Sequence, residues 1–219
     1  MSSKRKPPFS GDPLPRGRHG LPAQHVKASQ RERVVKAMLA LVAEHGYAAT
    51  TVPAVVAAAR VSRNAFYEFF RDKQECFLAA CEEAAADVFA TMETFGLEAD
   101  WIEGIHRGLH TWLQWWQDRP GFARAYLIEL PLAGPEAAEQ RRRTTEPYIE
   151  MFRLIGERIR RVQPQLPPMP DFVPGFLVAS LLARLADEVR SNGAGNLTRL
   201  TAPGVFIAVK LLADDRTAQ

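Results

Sequence analysis

The sequence predicts an all-α chain of about nine helices: three short ones forming an N-terminal head, then a larger helical bundle. Three observations carry this. Apolar residues recur at spacings of three and four through almost every segment after residue 28. No segment shows the apolar–polar alternation of a half-buried strand. Ser, Thr and Asp stand where periodic segments begin, and Gly or Pro where they end. With 219 residues, 47% of them hydrophobic, the chain has ample material for a core.

Residues 1–27 hold five prolines, three glycines and scattered cations, the composition of a disordered basic arm. Periodicity then starts. In SQRERVVKAMLALVAEHGY, Val34, Val35, Met38, Leu41 and Val42 share one helix face. Ser29 suits the cap, with Glu32 completing a capping box, and Gly46 ends the helix. Thr51 caps a second helix, VPAVVAAA, whose Pro53 falls in the first turn, where no internal N–H bond is lost. That helix stops near Arg60. Ser62 caps a third of about two turns, ending near Phe70. Asp72 caps a fourth, which runs to about Phe95.

Helical patterns continue. DWIEGIHRGLHTWLQWWQD is stopped by Pro120, and GFARAYLIEL by Pro131. PEAAEQRRRTTEPYIEMFRLIGERIRRV is long, and its internal Pro147 predicts a kink or break. QPQLPPMP reads as a linker; DFVPGFLVASLLARLADEVR and LTRLTAPGVFIAVKLLAD are the last two helices. No internal repeat is present.

Charge divides the chain. Residues 1–80 carry 13 Lys and Arg against 6 Asp and Glu, whereas the remainder carries 15 against 19. A basic head on an acidic body points to a polyanion partner for the head alone. Cys76 and Cys81, if on one helix, are separated by about 7.5 Å of rise, beyond disulfide reach. Free thiols, no apolar run long enough for a membrane span and no apolar signal stretch predict a cytoplasmic protein without a membrane partner. No Ser-His-Asp set, Gly-rich phosphate loop or catalytic carboxylate pair is recognisable, so no enzyme activity and no cofactor are expected. His106 and His110, with Glu103 a turn earlier, have zinc-compatible spacing. They share a face with Arg107, Gln114 and Gln117, which reads as solvated, and no metal is expected. The Arg141–Arg143 run reads the same way.

The stretch VSRNAFYEFFRDK, residues 61–73, sets aromatic rings beside cations. Together with TTVPAVVAAAR before it, it forms two short helices joined by a tight turn, a helix-turn-helix. Val61, Phe66 and Phe70 suit the buried side of the second helix; Arg63, Asn64 and Tyr67 fall on the other, where base edges in a major groove would meet them.

Gly46, Tyr47, Thr50, Thr51, Val52, Val55, Val56, Ala59, Val61, Ser62, Phe66, Tyr67, Phe70, Asp72 and Lys73 together resemble the DNA-binding domain of TetR-type (TetR/AcrR) transcriptional regulators over residues 31–81. The resemblance implies a DNA-binding domain over 28–74 and an effector-binding and dimerisation domain over 75–219. It implies that Tyr67 and Lys73 hold phosphates, and that Thr50, Thr51 and Ser62 meet the backbone near the helix starts. Arg63 and Asn64 would read bases, since Arg pairs bidentately with guanine and Asn with adenine; Ala65 and Phe69 would touch thymine methyls. Arg60 departs from the family's usual turn glycine. A left-handed backbone there costs Arg on the order of 1 kcal/mol, which a phosphate contact would offset. Lys4, Arg5 and Lys6, or Arg16 and Arg18, would enter a flanking minor groove or float free.

In the body, Trp101, Ile105, Leu109, Trp112 and Trp116 form one stripe, with Gly104, Gly108, Thr111 and Trp115 beside it. An apolar cavity lined by Trp112, Trp115, Trp116, Phe122, Tyr126 and Phe152 would suit a hydrophobic effector. Val178, Leu181, Leu182 and Leu185, with Val205 and Val209, would pair the last two helices with those of a second copy. The expectation is a homodimeric repressor released from a palindromic operator by a small hydrophobic molecule. The alternative is a DNA-binding regulator without a small ligand, controlled by a protein partner or by its own concentration.

Overall fold

The computed structural model describes residues 23–90 and 100–213. The helices are α1 (Ala23–His45), α2 (Val52–Ala59), α3 (Arg63–Phe69), α4 (Lys73–Ala90), α5 (Trp101–Gln117), α6 (Pro120–Arg124), α7 (Pro135–Val162), α8 (Phe172–Asn192) and α9 (Thr201–Leu212). A π-helical turn, Ala125–Glu129, and a 3-10 turn, Leu130–Leu132, extend α6, and a second 3-10 turn, Leu197–Leu200, precedes α9. No strand occurs among the described residues.

The head's helix ends follow local chemistry. The Thr51 hydroxyl accepts from the Ala54 N–H, the Ser62 hydroxyl from Ala65 at 3.0 Å, and the Asp72 carboxylate from Glu75 at 2.8 Å. Gly46, at φ +84, ends α1. Helix α1 begins at Ala23 rather than at Ser29, so Ser29 and Glu32 lie inside it. Neither Gly nor Pro separates Ala23 from Ser29, and a cap residue starts a helix only where the preceding residues do not continue it. The predicted extension of α4 to Phe95 and Lys4, Arg5, Lys6, Arg16 and Arg18 of the arm lie outside the described residues, whereas residues 23–27, read as arm, are helical.

Two prolines lie within helical backbone. Pro131 does not stop its helix; the chain tightens through it into a 3-10 turn. Pro147 does not break α7, which runs unbroken from Pro135 to Val162. The ring removes one N–H, and packing of α7 against α4, α8 and α9 outweighs that loss.

One hydrophobic core runs from head to body. In the head, α1 lays Val34, Met38 and Val42 against Val55, Phe66 and Phe77, all at 0% exposure. Fully burying side chains of this size contributes about 1.5–3 kcal/mol each. Cys76 and Cys81 are free and buried in the same core. Desolvation pushes the Cys76 thiol up to about 12 and the Cys81 thiol further up, so both stay protonated. In the body, Trp115 and Trp116 at the end of α5 pack on Phe122 and Tyr126. The segment 163–170, read as a linker, is tied down by Arg160, whose guanidinium donates to the Pro167 and Leu212 carbonyls.

Candidate DNA interface and effector cavity

Helix α3 separates its two faces as its spacing requires. Phe66 and Phe70 turn inward and touch at 5.8 Å between ring centroids. Ser62, Arg63, Asn64 and Tyr67 are exposed, as are Thr51 and Arg60 at the two ends of α2. The Arg63 guanidinium rests 5.7 Å from the Tyr67 ring centre, which pre-orients it at the N-terminal end of the helix. Ala65 and Phe69 are half-buried, and Phe69 packs edge-on against Phe70. Arg60 adopts φ 53 and ψ 46, the left-handed conformation. Arg33 donates to the carbonyls of Ala59 and Arg60, placing a cation at the C-terminus of α2.

Two residues expected at phosphates are occupied within the head. Thr50 is 2% exposed and its hydroxyl donates to the Gly46 carbonyl at 2.9 Å. It fastens the α1–α2 loop and offers nothing to a backbone outside. Lys73 is half-buried at the first turn of α4, its ammonium donating to the Tyr47 carbonyl at 2.8 Å and lying 4.2 Å from the Tyr47 ring centre. Desolvation lowers its pKa.

The head joins the body through the same loop. The carboxylate of Glu129, at the end of the π-turn, accepts from the Tyr47 N–H at 2.9 Å. It lies 3.6 Å from the Arg124 guanidinium. The Tyr47 ring stacks on Phe77. Nearby, Gln74 donates to the Ala133 carbonyl at 2.7 Å, and Gln140 on α7 donates to the Leu78 carbonyl on α4. None of these residues was read from the sequence as a joint between head and body. An acid inside the apolar run LIELPL was the available signal for Glu129.

A cavity opens within the body among α4, α5, α7, α8 and α9. It encloses about 740 Å³ of space, part of it continuous with solvent, and the centre of a water-sized sphere can move through only about 40 Å³. It is a narrow slot. Trp112, Trp116, Tyr126 and Phe152 line it. Trp115 and Phe122 do not; they are buried behind Trp116, which stacks on Phe122 at 5.4 Å. Thr144, Thr145 and Tyr148 of α7 join the wall. Tyr148 is four residues before Phe152, so the spacing that placed one on this face also fits the other.

Val178 and Leu182 also line the cavity, and Leu185 is fully buried, so these three face inward rather than toward a second copy. Leu181, Val205 and Val209 are half-buried. The outward faces of α8 and α9 carry Phe172, Phe176, Phe206 and Ile207, with exposures of 62%, 65%, 64% and 41%. The periodic pattern marked both helices as apolar on more than one side and could not say which side the chain itself covers. His106 and His110 are exposed, and no group of His, Cys, Asp or Glu suited to a metal occurs among the described residues.

A three-helix head presenting one polar helix face, on a helical body with an apolar cavity, is the form of a helix-turn-helix unit joined to a second helical unit. The family model of bacterial regulatory proteins of the tetR family matches residues 34–80. The HTH-type transcriptional regulator YerO of Bacillus subtilis (strain 168) is 38% identical over 53 residues, which are 24% of this chain and 18% of YerO. A TetR family transcription regulator from Marinobacter aquaeolei VT8 has the same fold: TM-score 0.65, 20% identity, covering 88% of this chain and all of that one. So has the fatty acid degradation regulator FadR from Bacillus halodurans, with TM-score 0.68, 16% identity, and 85% and 96% of the two chains covered. FadR from Bacillus subtilis, solved in complex with stearoyl-CoA, matches with TM-score 0.66 at 13% identity over 84% and 98%. Residues 34–80 thus match the DNA-binding segment of tetR-family bacterial regulatory proteins, and the described residues share the fold of solved TetR-family regulators.

Proposed function

We propose that the protein is a homodimeric repressor that leaves a palindromic operator when a small hydrophobic molecule enters its body cavity. The observation carrying the DNA role is the exposed face of α3, where Arg63, Asn64 and Tyr67 stand opposite the buried Phe66 and Phe70. Arg63 and Asn64 at the helix start are the base readers; Tyr67, Arg60 and the Thr51 and Ser62 positions hold the backbone. Lys73 spends one ammonium N–H on the Tyr47 carbonyl and keeps two for a phosphate beside it.

Dimerisation through the outward faces of α8 and α9 places two recognition helices on one duplex. The cavity supports an effector over control by a protein partner or by concentration alone, since a regulator without a ligand needs no such slot. A structural relative, FadR from Bacillus subtilis, was solved in complex with stearoyl-CoA, which supports a ligand with an apolar chain here. The effector acts by preferring one arrangement of the body, because equal affinity for both shifts nothing. Tyr126 in the cavity wall and Glu129 at the head share one turn of π-helix, so a ligand that displaces Tyr126 moves the acceptor of the Tyr47 N–H.

Selection of bound sequences from random duplex DNA, at matched salt, tests the reading. Wild type should enrich an inverted repeat, and Asn64→Ala should relax one symmetric position, a loss of about 1–3 kcal/mol of discrimination there. Equal binding to all sequences by the wild type would refute it.

A further inference from the structure

The walls of the body cavity carry no charged side chain. Their polar atoms are two tyrosine hydroxyls, two threonine hydroxyls and two indole N–H groups. Most are already engaged. The Thr145 hydroxyl donates to the Arg142 carbonyl at 2.9 Å and the Thr144 hydroxyl to the Arg141 carbonyl at 3.1 Å. The Tyr126 hydroxyl lies 2.6 Å from the Thr144 oxygen, whose proton is taken, so Tyr126 is the donor of that pair. The Trp112 indole nitrogen sits beside the Tyr148 hydroxyl, outside hydrogen-bond geometry.

Trp116 is different. It lines the cavity, is 2% exposed, and its indole nitrogen has no acceptor in the protein. Buried donors are seldom left so, and an unpaired one weakens the fold until something accepts from it. Burial raises the pKa of both Tyr126 and Tyr148, so neither phenol supplies an anion for a cationic guest. Arg141 is the cation that acts on Tyr126, but it does so from outside the wall.

We infer that the effector is uncharged over the part that enters the cavity, slender, and carries a hydrogen-bond acceptor oxygen of the ketone, ester or ether class that takes the Trp116 N–H. This rests on the effector reading proposed above. A carboxylate or ammonium in the slot would lose its hydration and meet no partner of opposite charge. The acceptor oxygen replaces the missing bond at Trp116, and the narrow apolar walls take an unbranched chain or flat ring.

The test is a set of ligands of one length: 2-octanone, 1-octene, octanoate and octylammonium, titrated at pH 7.5 against tryptophan fluorescence. The ketone should bind about tenfold more tightly than the alkene, and both ions more weakly than the ketone by at least about tenfold. In Trp116→Phe the ketone's advantage over the alkene should vanish, whatever change the smaller ring makes to the affinity of both. Octanoate or octylammonium binding as tightly as 2-octanone overturns the inference and leaves the effector reading standing. So does a ketone advantage that survives Trp116→Phe. Binding of none of the four refutes the effector reading itself. If Trp116→Phe does not fold, the wild-type ranking decides.

Discussion

Arg60 shows at the level of one residue how a local cost and a function meet. Its left-handed backbone is a position that glycine fills without strain. Arg60→Gly removes that strain, on the order of 1 kcal/mol, partly offset by the greater freedom of glycine in the unfolded chain. The melting temperature of Arg60→Gly should therefore rise by up to about 2–4 °C, while operator affinity falls and its salt dependence flattens. A rise in stability with unchanged DNA binding would remove Arg60 from the interface. Thr50 teaches the reverse. Its type and position suit a phosphate, yet its hydroxyl closes the loop at Gly46. Sequence shows a residue's chemistry, not whether a neighbour has already used it.

Among the elements, the π-turn after α6 links cavity and head. Glu129→Ala leaves the half-buried Tyr47 N–H without its acceptor and should lower stability by about 1–3 kcal/mol in denaturant titration. Effector affinity should hold while effector-driven release from DNA weakens, read by fluorescence anisotropy of labelled operator. Glu129→Gln, which keeps an acceptor oxygen, should restore most of the stability. At the other end of the body, Glu188 on α8 is buried and accepts from Arg199, Arg184 and Asn192, fastening the 3-10 turn before α9. The hydrogen bond from Arg199, helped by Asn192 and the two guanidinium charges, holds its carboxyl below the ordinary value of 4.5. A depressed carboxylate stabilises the fold above its unfolded-state pKa, and the effect fades as pH falls through the folded-state value. Thermal melts of wild type and Glu188→Gln should differ near pH 6 and converge as the pH drops well below 4.5.

For the whole molecule, Phe172 and Phe176 on α8 and Phe206 and Ile207 on α9 are exposed large apolar side chains. Exposed apolar side chains gathered in a patch mark an association surface. Phe176→Asp with Phe206→Asp should convert the protein to a monomer at micromolar concentration in sedimentation velocity. Operator affinity should fall with it, since two half-sites are no longer held together. A dimer that survives both substitutions would place the interface elsewhere. Trp115, Phe122, Val178, Leu182 and Leu185 belong to the same scale. Periodicity marked all five as apolar and buried, but assigned them to a cavity or a partner that the packing of this chain does not give them.

The amino-acid sequence by itself determined the helices of the head, the caps of α2, α3 and α4, and the polar face of α3. Each depends on residues a few positions apart, where spacing and side-chain chemistry act directly. It also determined that the body is helical and rich in apolar faces. Tertiary structure alone decided which face each of those helices turns inward. It brought Glu129 to Tyr47 across 82 positions of chain, and it left Trp116 without an acceptor. These outcomes come from helices that meet only after folding, when a hydrophobic stripe has several possible partners and close packing selects one.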